Sequence, residues 1–312
     1  MKYRKLGKTG LDVSVLSYGA SSLGSVFREI NQQEGGIRTV HYALDKGINY
    51  IDVSPPYYGL TKAERVLGKA LKGIPRDRYI LSTKAGRYGE DSFDFSKKRI
   101  ITSAEESLKR LQTDYIDILL LHDIEFGSYN EVIEEGIPAL YQLKEQGKIR
   151  YVGVSGLPLS VFERVLQKAE IDVILSYCHY SLNDTSLLHI VPLLEQKNVG
   201  IINASPISMG LLNNRPVADW HPADKEMISV CKEAAAYCEE KGENLAKLAI
   251  QFSVQNNRIP TTLVSTASER NIAKNIEWID EPINQELLEQ VLKILKPIQN
   301  RSWPSGREEW RQ

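Results

Sequence analysis

The sequence lacks several features that would place it in a special class of proteins. Its 312 residues carry a formal net charge of -1, which gives no electrostatic reason to bind nucleic acid or an anionic membrane. No apolar run approaches the roughly 20 residues that cross a bilayer. We therefore expect neither nucleic acid nor a membrane among its partners. The chain also has three cysteines, Cys178, Cys231 and Cys238, whose odd number and wide spacing argue against a disulfide framework.

Sorting signals and metal-binding patterns are also missing. The N-terminal MKYRKLGKTG lacks the apolar core of a signal peptide, and the C-terminal EEWRQ contains no retention, peroxisomal or prenylation signal. Cys231 and Cys238 are seven positions apart on a predicted helix, but no further ligands lie nearby, so we expect no metal site. Reduced thiols and the absence of an export signal predict a cytoplasmic protein.

Two phosphate-binding fingerprints are absent. The segment after the first predicted strand reads GASSLGSVF, which does not contain the G-x-G-x-x-G turn of dinucleotide-binding sheets. The chain has no Walker-type phosphate loop either. These absences argue against an open doubly wound sheet, the main alternative to a barrel.

What the sequence does contain is a regular alternation of short apolar runs and amphipathic helical patterns. Several of the helices end in a glycine that is followed at once by a strand, as at Gly47, Gly73 and Gly147. Many strands are apolar at consecutive positions, which is typical of parallel strands buried on both faces. The eight predicted strands cover residues 13–19, 49–54, 79–85, 115–122, 150–156, 172–178, 199–205 and 261–265.

Eight strand–helix units in a chain of this length predict an α/β protein with a (β/α)₈ TIM barrel. We expect a single domain over residues 1–312, with an N-terminal hairpin and an extra C-terminal helix, NQELLEQVLKILK, followed by an irregular tail. Long loops are predicted after the fourth strand (123–136) and the seventh strand (206–224). Loops of this length in a compact domain are often functional.

Polar residues occur at or just after the ends of three of these strands. They are Asp52, Tyr57, Lys84 and His122, and the carboxyl ends of barrel strands are where active sites form. A tyrosine phenol has a pKa near ~10, and a neighbouring ammonium group lowers it. An aspartate can hold that ammonium, while a histidine can donate a hydrogen bond to a substrate oxygen. The pattern predicts proton transfer to or from a carbonyl or alcohol.

At these positions the sequence resembles the aldo-keto reductase superfamily. In GINYIDVSPPYYGLTKAERVLG, the residues Asp52, Tyr57, Gly59, Glu64 and Gly68 match that family's strand-two signature. The lysine of STKAG and the histidine of DILLLHD occur where the family has them, so the resemblance implies a catalytic tetrad completed by these two residues. It extends over the whole chain, and it implies a barrel enzyme that binds a nicotinamide dinucleotide.

The resemblance also implies a set of cofactor-binding residues. VGVSG supplies a polar residue for the carboxamide, SPISMGLL resembles the pyrophosphate-binding segment, and STASERNIAKN resembles the adenosine-binding motif. Many relatives have a glutamine at the end of strand six, where this chain offers Ser176 or Tyr177 instead. The other implied residues are Ser155, Ser205, Pro206, Met209, Gly210, Leu211, Ser265, Arg270, Asn271 and Asn275.

The choice between NAD and NADP depends on two of these positions. NADP-dependent relatives place Lys and Arg on the 2′-phosphate, and this chain aligns Ser265 and Asn271 there. Without those cations a dianionic phosphate loses its charge-assisted hydrogen bonds, which favours NAD. Arg270 and Lys274 could substitute if the register differs by one residue, so NADP stays the alternative.

The segments SYCHYSLNDTSL and WPSG are similar to the L-galactose dehydrogenase branch of the family, which includes enzymes that oxidise aldoses at the anomeric carbon. The resemblance therefore implies NAD-linked oxidation of a sugar such as L-galactose or L-fucose to its lactone, with Tyr57 as general acid/base. We expect Asp123, Ile124 and Trp303 to contact the sugar. The partners expected are a small sugar or carbonyl compound, in a monomer or weak homo-oligomer.

Three other functions compete with this interpretation. A general NADPH-dependent aldehyde or ketone reductase would use the same tetrad. A metal-dependent barrel hydrolase would need a ligand cluster, such as two histidines on the first strand, which VSVLSYG lacks. A non-catalytic barrel that binds the cofactor and regulates a partner is disfavoured by the intact tetrad.

Overall fold

Eight parallel strands close into a barrel, as the alternating pattern predicts. The computed structural model describes residues 1–24, 33–54, 61–89 and 91–310. Each barrel strand pairs with the next in sequence, and the last pairs with the first. The barrel strands are β3 (Leu16–Gly19), β4 (Tyr50–Asp52), β5 (Ile80–Ala85), β6 (Ile116–Leu121), β7 (Ile149–Gly156), β8 (Val173–Tyr177), β9 (Gly200–Ala204) and β10 (Thr261–Ser265). The predicted (β/α)₈ fold is confirmed.

A short antiparallel hairpin closes the end of the barrel at which the strands begin. It consists of β1 (Tyr3–Lys5) and β2 (Asp12–Ser14), and its Leu6 and Val13 are fully buried with the residues that fill the barrel interior. The prediction of one strand over 13–19 was wrong at its start. The apolar run is continuous in sequence, but the chain leaves the hairpin at Ser14 and enters the barrel at Leu16.

Helices alternate with the barrel strands along the chain. None of those in the described ranges combines the length and the apolarity needed to span a membrane. They are α1 (Gln33–Asp45), α2 (Lys62–Leu71), α3 (Lys97–Leu111), α4 (Tyr129–Glu131), α5 (Ile137–Glu145), α6 (Ser160–Lys168), α7 (Val191–Gln196), α8 (Lys225–Glu240), α9 (Leu245–Gln255), α10 (Glu269–Asp280) and α11 (Gln285–Leu295).

The consecutive apolar positions of the strands are explained by burial on both faces. Ile118 and Leu120 of β6 point into the barrel interior, where they pack with Tyr50 and Val173. The alternate residue Leu119 belongs to a separate core cluster that includes residues of the surrounding helices. Because the side chains of a strand alternate between its two faces, the same rule decides which polar residues face the barrel interior.

The two long predicted loops differ in structure. After β6 a helix begins already at Tyr129, where the Ser128 hydroxyl accepts a hydrogen bond from the Glu131 amide at 3.2 Å. This helix continues through a π-helical turn, Val132–Gly136, into α5, so the loop is shorter than predicted. The segment between β9 and α8 contains only a short 3₁₀ turn, Ser208–Gly210, and is a long loop as predicted.

Candidate active site

A buried lysine–aspartate pair lies at the carboxyl ends of β4 and β5. The Lys84 ammonium donates to a carboxylate oxygen of Asp52 and to the Val53 carbonyl at 3.2 Å. Each residue is 4% exposed, so neither charge could be stable without the other. The hydroxyl of Ser82 donates to the second carboxylate oxygen of Asp52 at 2.5 Å and lies 2.8 Å from the Tyr50 hydroxyl. The pair is therefore held in one orientation by its neighbours.

His122 directly follows the last residue of β6, the strand that pairs with β5 in the barrel. Its backbone amide donates to the Ala85 carbonyl at 2.8 Å, which fixes it beside the end of β5. Burial lowers the pKa of His122 to about 3, and the positive charges of Lys84 and Arg87 add to this effect while Asp123 opposes it. The imidazole is therefore neutral at physiological pH, with one donor and one acceptor nitrogen. It can hydrogen-bond a substrate oxygen without carrying a charge.

The structure thus brings together three of the four residues predicted to share proton transfer. Asp52 and Lys84 are in contact. The barrel pairing places Lys84 opposite Leu120 of β6, the strand that His122 follows directly. Tyr57 lies in the segment 55–60, outside the described residues, so its role stays a prediction. Glu64 has no part in this group: it is buried on α2, where it binds Arg110 at 2.6 Å and Thr83 at 2.7 Å.

The residues predicted to contact a sugar occupy different environments. Asp123 follows His122, and its carboxylate accepts a hydrogen bond from Arg87 at 2.5 Å. Ile124 is fully buried in the core. Trp303 is half-buried in the C-terminal tail, where its ring meets the edge of His221 at 5.1 Å between centroids. Of the three, Asp123 is the one in direct contact with residues around His122.

A contact that sequence reasoning missed joins the C-terminal tail to the turn after His122. The fully buried Glu125 accepts hydrogen bonds on one carboxyl oxygen from the Leu157 amide and the Ser305 hydroxyl, both at 3.0 Å. Its backbone carbonyl accepts a further bond from the Arg307 amide at 2.8 Å. Trp310 is fully buried and donates to the Gly127 carbonyl at 2.9 Å. The only signal in the sequence was the pair of tryptophans in an otherwise polar tail.

Burial and the nearby Asp123 charge raise the pKa of Glu125 to about 8. Its carboxyl group is therefore mostly protonated at neutral pH. Two residues earlier, the Asp123 carboxylate pairs with Arg87.

Ser155 and the end of β8 lie next to this group. The Ser155 hydroxyl accepts a hydrogen bond from the Asp123 amide at 3.2 Å, so it already positions the residue after the histidine. On β8, Tyr177 has the same orientation as Leu175, which lines the barrel interior. Ser176 has the opposite orientation, because the side chains of a strand alternate. Of these two candidates, Tyr177 is therefore the one on the interior face.

The loop after β9 has an unusual backbone. Ser205, Ser208 and Met209 adopt positive φ angles of 57°, 49° and 52°, a conformation that costs roughly 1–3 kcal/mol for a residue with a side chain. Gly210 follows with φ 108°. Strained backbone of this kind concentrates at ligand-binding sites, and successive amides in such turns suit anions. The loop between β9 and α8 therefore fits the pyrophosphate of a dinucleotide.

Hydrogen bonds hold this loop in place. The imidazole of His221 lies 3.1 Å from the Ser208 carbonyl, and its other nitrogen accepts a bond from the Ala223 amide at 3.1 Å. Leu211 is almost fully buried in the core beneath the loop. Pro206 begins the loop directly after Ser205.

The start of α10 is suited to bind a second anionic or polar group. Ser268 caps the helix by accepting a hydrogen bond from the Asn271 amide at 3.4 Å, and helix N-termini favour negative charge. Ser265 donates to the Gly19 carbonyl at 2.8 Å. Arg270 is exposed and Asn275 half-buried on the same helix. The role of these groups on the adenosine side of a dinucleotide stays a prediction.

Comparisons with known proteins identify the family of this chain. A family model described as the aldo/keto reductase family matches residues 15–296. The chain is 47% identical over 315 residues to L-galactose dehydrogenase of Arabidopsis thaliana, with 98% of each chain covered. It is 33% identical over 292 residues to D-arabinose 1-dehydrogenase of Saccharomyces cerevisiae, with 86% of each chain covered.

Solved structures of aldo-keto reductases are also similar to this chain over its whole length. The holo form of an aldo-keto reductase from Bacillus halodurans superposes with a TM-score of 0.80 at 29% identity, and all of both chains is covered. The likeness therefore includes the long loop after β9 and the C-terminal tail as well as the barrel.

Proposed function

The chain belongs to the aldo/keto reductase family, and on this basis we propose that it oxidises an aldose at C1 to the lactone, with NAD as hydride acceptor. The observation that carries the proposal is the buried pair of Lys84 and Asp52 beside a neutral His122 at the carboxyl end of the barrel. By their names, L-galactose dehydrogenase and D-arabinose 1-dehydrogenase act on aldoses, and the yeast protein acts at position 1. Both support a sugar as substrate.

The residues divide the proton transfer between them. Tyr57, deprotonated, accepts the proton of the anomeric hydroxyl while the C1 hydrogen leaves with its electron pair as hydride. The Lys84 ammonium stabilises the phenolate, and Asp52 keeps that ammonium charged and oriented. His122 donates a hydrogen bond to the same substrate oxygen. When bound, a nicotinamide dinucleotide supplies the hydride acceptor for this step.

We propose NAD rather than NADP because the two positions that hold Lys and Arg in NADP-dependent relatives carry no charge here. Ser265 and Asn271 are neutral, and Glu269 in the first helical turn adds a negative charge that would repel a 2′-phosphate. Arg270 is the one positively charged residue in the same turn. Fluorescence titration of both dinucleotides tests this choice: NAD should bind more tightly, and tighter binding of NADP would overturn it.

The catalytic proposal is tested by replacing Tyr57 with Phe. L-Galactose, L-fucose and related aldoses are offered with NAD, and NADH formation is followed by absorbance. We expect Tyr57→Phe to abolish turnover and to leave cofactor binding nearly intact. Tyr58→Phe, one position along, is the matched control and should keep most of the activity. Retained turnover in the Tyr57 variant would refute the proton role of this residue.

The assembly and location of the protein are also proposals. Its three cysteines are buried and unpaired, which suits a reducing compartment such as the cytoplasm. We propose a single-domain monomer or weak homo-oligomer. Size-exclusion chromatography with light scattering across a range of concentrations would reveal a stable oligomer if this is wrong.

A further inference from the structure

An arginine that no sequence motif singled out lies beside the histidine of the site. Arg87 begins the loop after β5, and its guanidinium donates to Asp123 at 2.5 Å and to the Gly89 carbonyl at 3.3 Å. The same carboxylate oxygen of Asp123 lies 3.6 Å from the nearer imidazole nitrogen of His122. Only one carboxylate therefore separates Arg87 from the residue expected to contact the reacting oxygen.

Two aromatic rings form a surface against this ion pair. Phe93 and Phe126 stack with 4.7 Å between centroids and an angle of 9°. The Arg87 guanidinium carbon lies 5.2 Å and 5.7 Å from their centroids, within the range of cation–π contacts. All three side chains are partly exposed. An aromatic surface can pack against the apolar face of a ring, while the neighbouring charged pair can bind hydroxyl groups on that ring.

Asp123 keeps hydrogen-bonding capacity and is held in a strained conformation. Its backbone is left-handed, with φ 51° and ψ 58°, which is uncommon for a residue with a side chain. Of its two carboxylate oxygens, one binds Arg87 and the other accepts no hydrogen bond from any residue in the described ranges. An ionised carboxylate accepts several hydrogen bonds, so this oxygen is suited to a donor from a ligand.

Stability alone does not explain this ion pair. The side chains of Arg87 and Asp123 are 17% and 4% exposed, so desolvation offsets much of their attraction. In proteins generally, apolar residues of similar volume often replace such a buried pair without loss of stability. The cost is offset where both charges also bind a polar substrate.

We propose that Arg87 and Asp123 bind ring hydroxyls of the aldose against the Phe93–Phe126 surface, and so determine specificity for sugars. Asp123 accepts a hydrogen bond from one hydroxyl, and Arg87 donates to the oxygen of the same or an adjacent one. The inference rests on the proposed aldose oxidation. A site built to bind a hydroxyl discriminates strongly against an analogue that lacks it.

The test compares Arg87→Met, Arg87→Lys and Asp123→Asn with the wild type on L-galactose and on its 2-deoxy, 3-deoxy and 4-deoxy analogues. We expect kcat/KM for L-galactose to fall about 10- to 100-fold in the Met and Asn variants. For the analogue that lacks the contacted hydroxyl the fall should be less than about threefold, because that contact is already absent. Lys should restore part of the loss, since it keeps the charge but not the planar donor geometry.

Arg150→Met is the matched control. Arg150 also pairs with a buried aspartate, Asp117 at 3.1 Å, and lies 5.6 Å from the Tyr151 ring, but at the opposite end of the barrel. The Arg150→Met substitution should leave kcat/KM unchanged for L-galactose and for every analogue. An equal fall on every analogue in Arg87→Met would show a structural role and overturn the proposal, as would no fall at all.

Calorimetric titration of the NADH-saturated protein with L-galactose separates this inference from the proposed function, because the reduced cofactor cannot accept hydride and only binding is measured. Wild-type turnover that survives in Arg87→Met with unchanged sugar affinity refutes the inference alone. A wild type that neither binds nor oxidises any aldose refutes the proposed function, and the subsite with it. Weaker sugar binding in Arg87→Met together with unchanged NAD affinity supports both.

Discussion

Both ends of the barrel hold a buried aspartate that pairs with arginine, Asp117 at one end and Asp123 at the other, but the two differ in how many of their oxygens are bonded within the described residues. At the end where the strands begin, Asp117 on β6 accepts hydrogen bonds from Arg76 at 2.5 Å, Arg150 at 3.1 Å and the Leu81 amide at 2.8 Å. Both of its carboxylate oxygens are used, and the Arg76 guanidinium is packed against two tyrosine rings.

At the opposite end the groups are arranged differently. One carboxylate oxygen of Asp123 and one carboxyl oxygen of Glu125 accept no hydrogen bond within the described part of the chain. The pKa values of His122 and Glu125 are shifted in opposite directions, both chiefly by burial. Buried polar atoms are nearly always bonded in stable structures, so unused capacity points to a ligand or a reaction. The comparison predicts that changes at the first end reduce stability and changes at the second reduce catalysis.

Among the changes that test this comparison, the largest effect is expected for Lys84→Met. Without the ammonium the Tyr57 phenol returns toward its ordinary pKa near ~10, and kcat at pH 7 should fall by about 10² to 10⁴. Activity should then rise steeply with pH, which a pH–rate profile measures. A variant that keeps the wild-type profile would contradict the proposed role of Lys84.

The same substitution leaves Asp52 buried without its partner, so a loss of stability could be mistaken for a loss of catalysis. The double variant Lys84→Met/Asp52→Asn separates the two. Neutral Asn removes the unpaired charge, which costs about 3–5 kcal/mol when left alone. We expect the double variant to regain stability in urea unfolding while its kcat stays low.

Asp117→Asn tests the other end of the barrel. It leaves the Arg76 guanidinium, which is only 21% exposed, without a carboxylate partner, and the free energy of unfolding should fall by about 3 kcal/mol. Below the unfolding transition kcat/KM should change less than about twofold. A tenfold fall in kcat/KM with normal stability would contradict the division between the two ends.

Much of this arrangement follows from local sequence signals. The bounds of β5, β6 and β8 agree with prediction to within one residue at every end, because apolar runs between glycine-capped helices are local patterns. The placement of Asp52, Lys84 and His122 at one end follows from strand order alone. Family resemblance supplied the role of Tyr57, which residue types by themselves would not have identified.

The contacts that complete the site could not be predicted in the same way. Arg87 meets Asp123 across 36 positions, and Glu125 meets Ser305 across 180. Such pairs depend on how loops fold over the barrel, for which no local pattern exists. The helix that starts at Tyr129 was missed for a different, local reason: a π-helical turn interrupts the 3.6-residue period.

Glu125→Gln tests the raised pKa at the catalytic end. Because the pKa of Glu125 is about 8 in the folded protein and near 4.5 when unfolded, the folded state binds more protons between these values. The free energy of unfolding should therefore fall as pH rises from about 5 to 8, by at most about 1.4 kcal/mol per unit. Gln cannot ionise, so the variant should lose this slope. An identical slope in both proteins would show that Glu125 titrates normally.

The smallest effect is expected where the tail meets the turn after His122. Gly306 has φ 70°, and a Cβ there would lie 2.4 Å from the Glu125 carbonyl oxygen. Gly306→Ala should lower the free energy of unfolding by about 2 kcal/mol, and kcat/KM should fall several-fold because Glu125 is three residues from His122.

Gly242→Ala is the control for Gly306→Ala. It distinguishes the cost of alanine at a positive φ from displacement of the turn that contains Glu125. Gly242 has nearly the same φ, 71°, but its Cβ would meet nothing within 4 Å. Alanine there has the same conformational cost of roughly 1–2 kcal/mol, with no contact to displace, so kcat/KM should not change. If both variants lose stability equally and neither loses activity, the tail does not position the catalytic turn. A fall in kcat/KM confined to Gly306→Ala would show that the contact between the tail and Glu125 belongs to the catalytic end of the barrel.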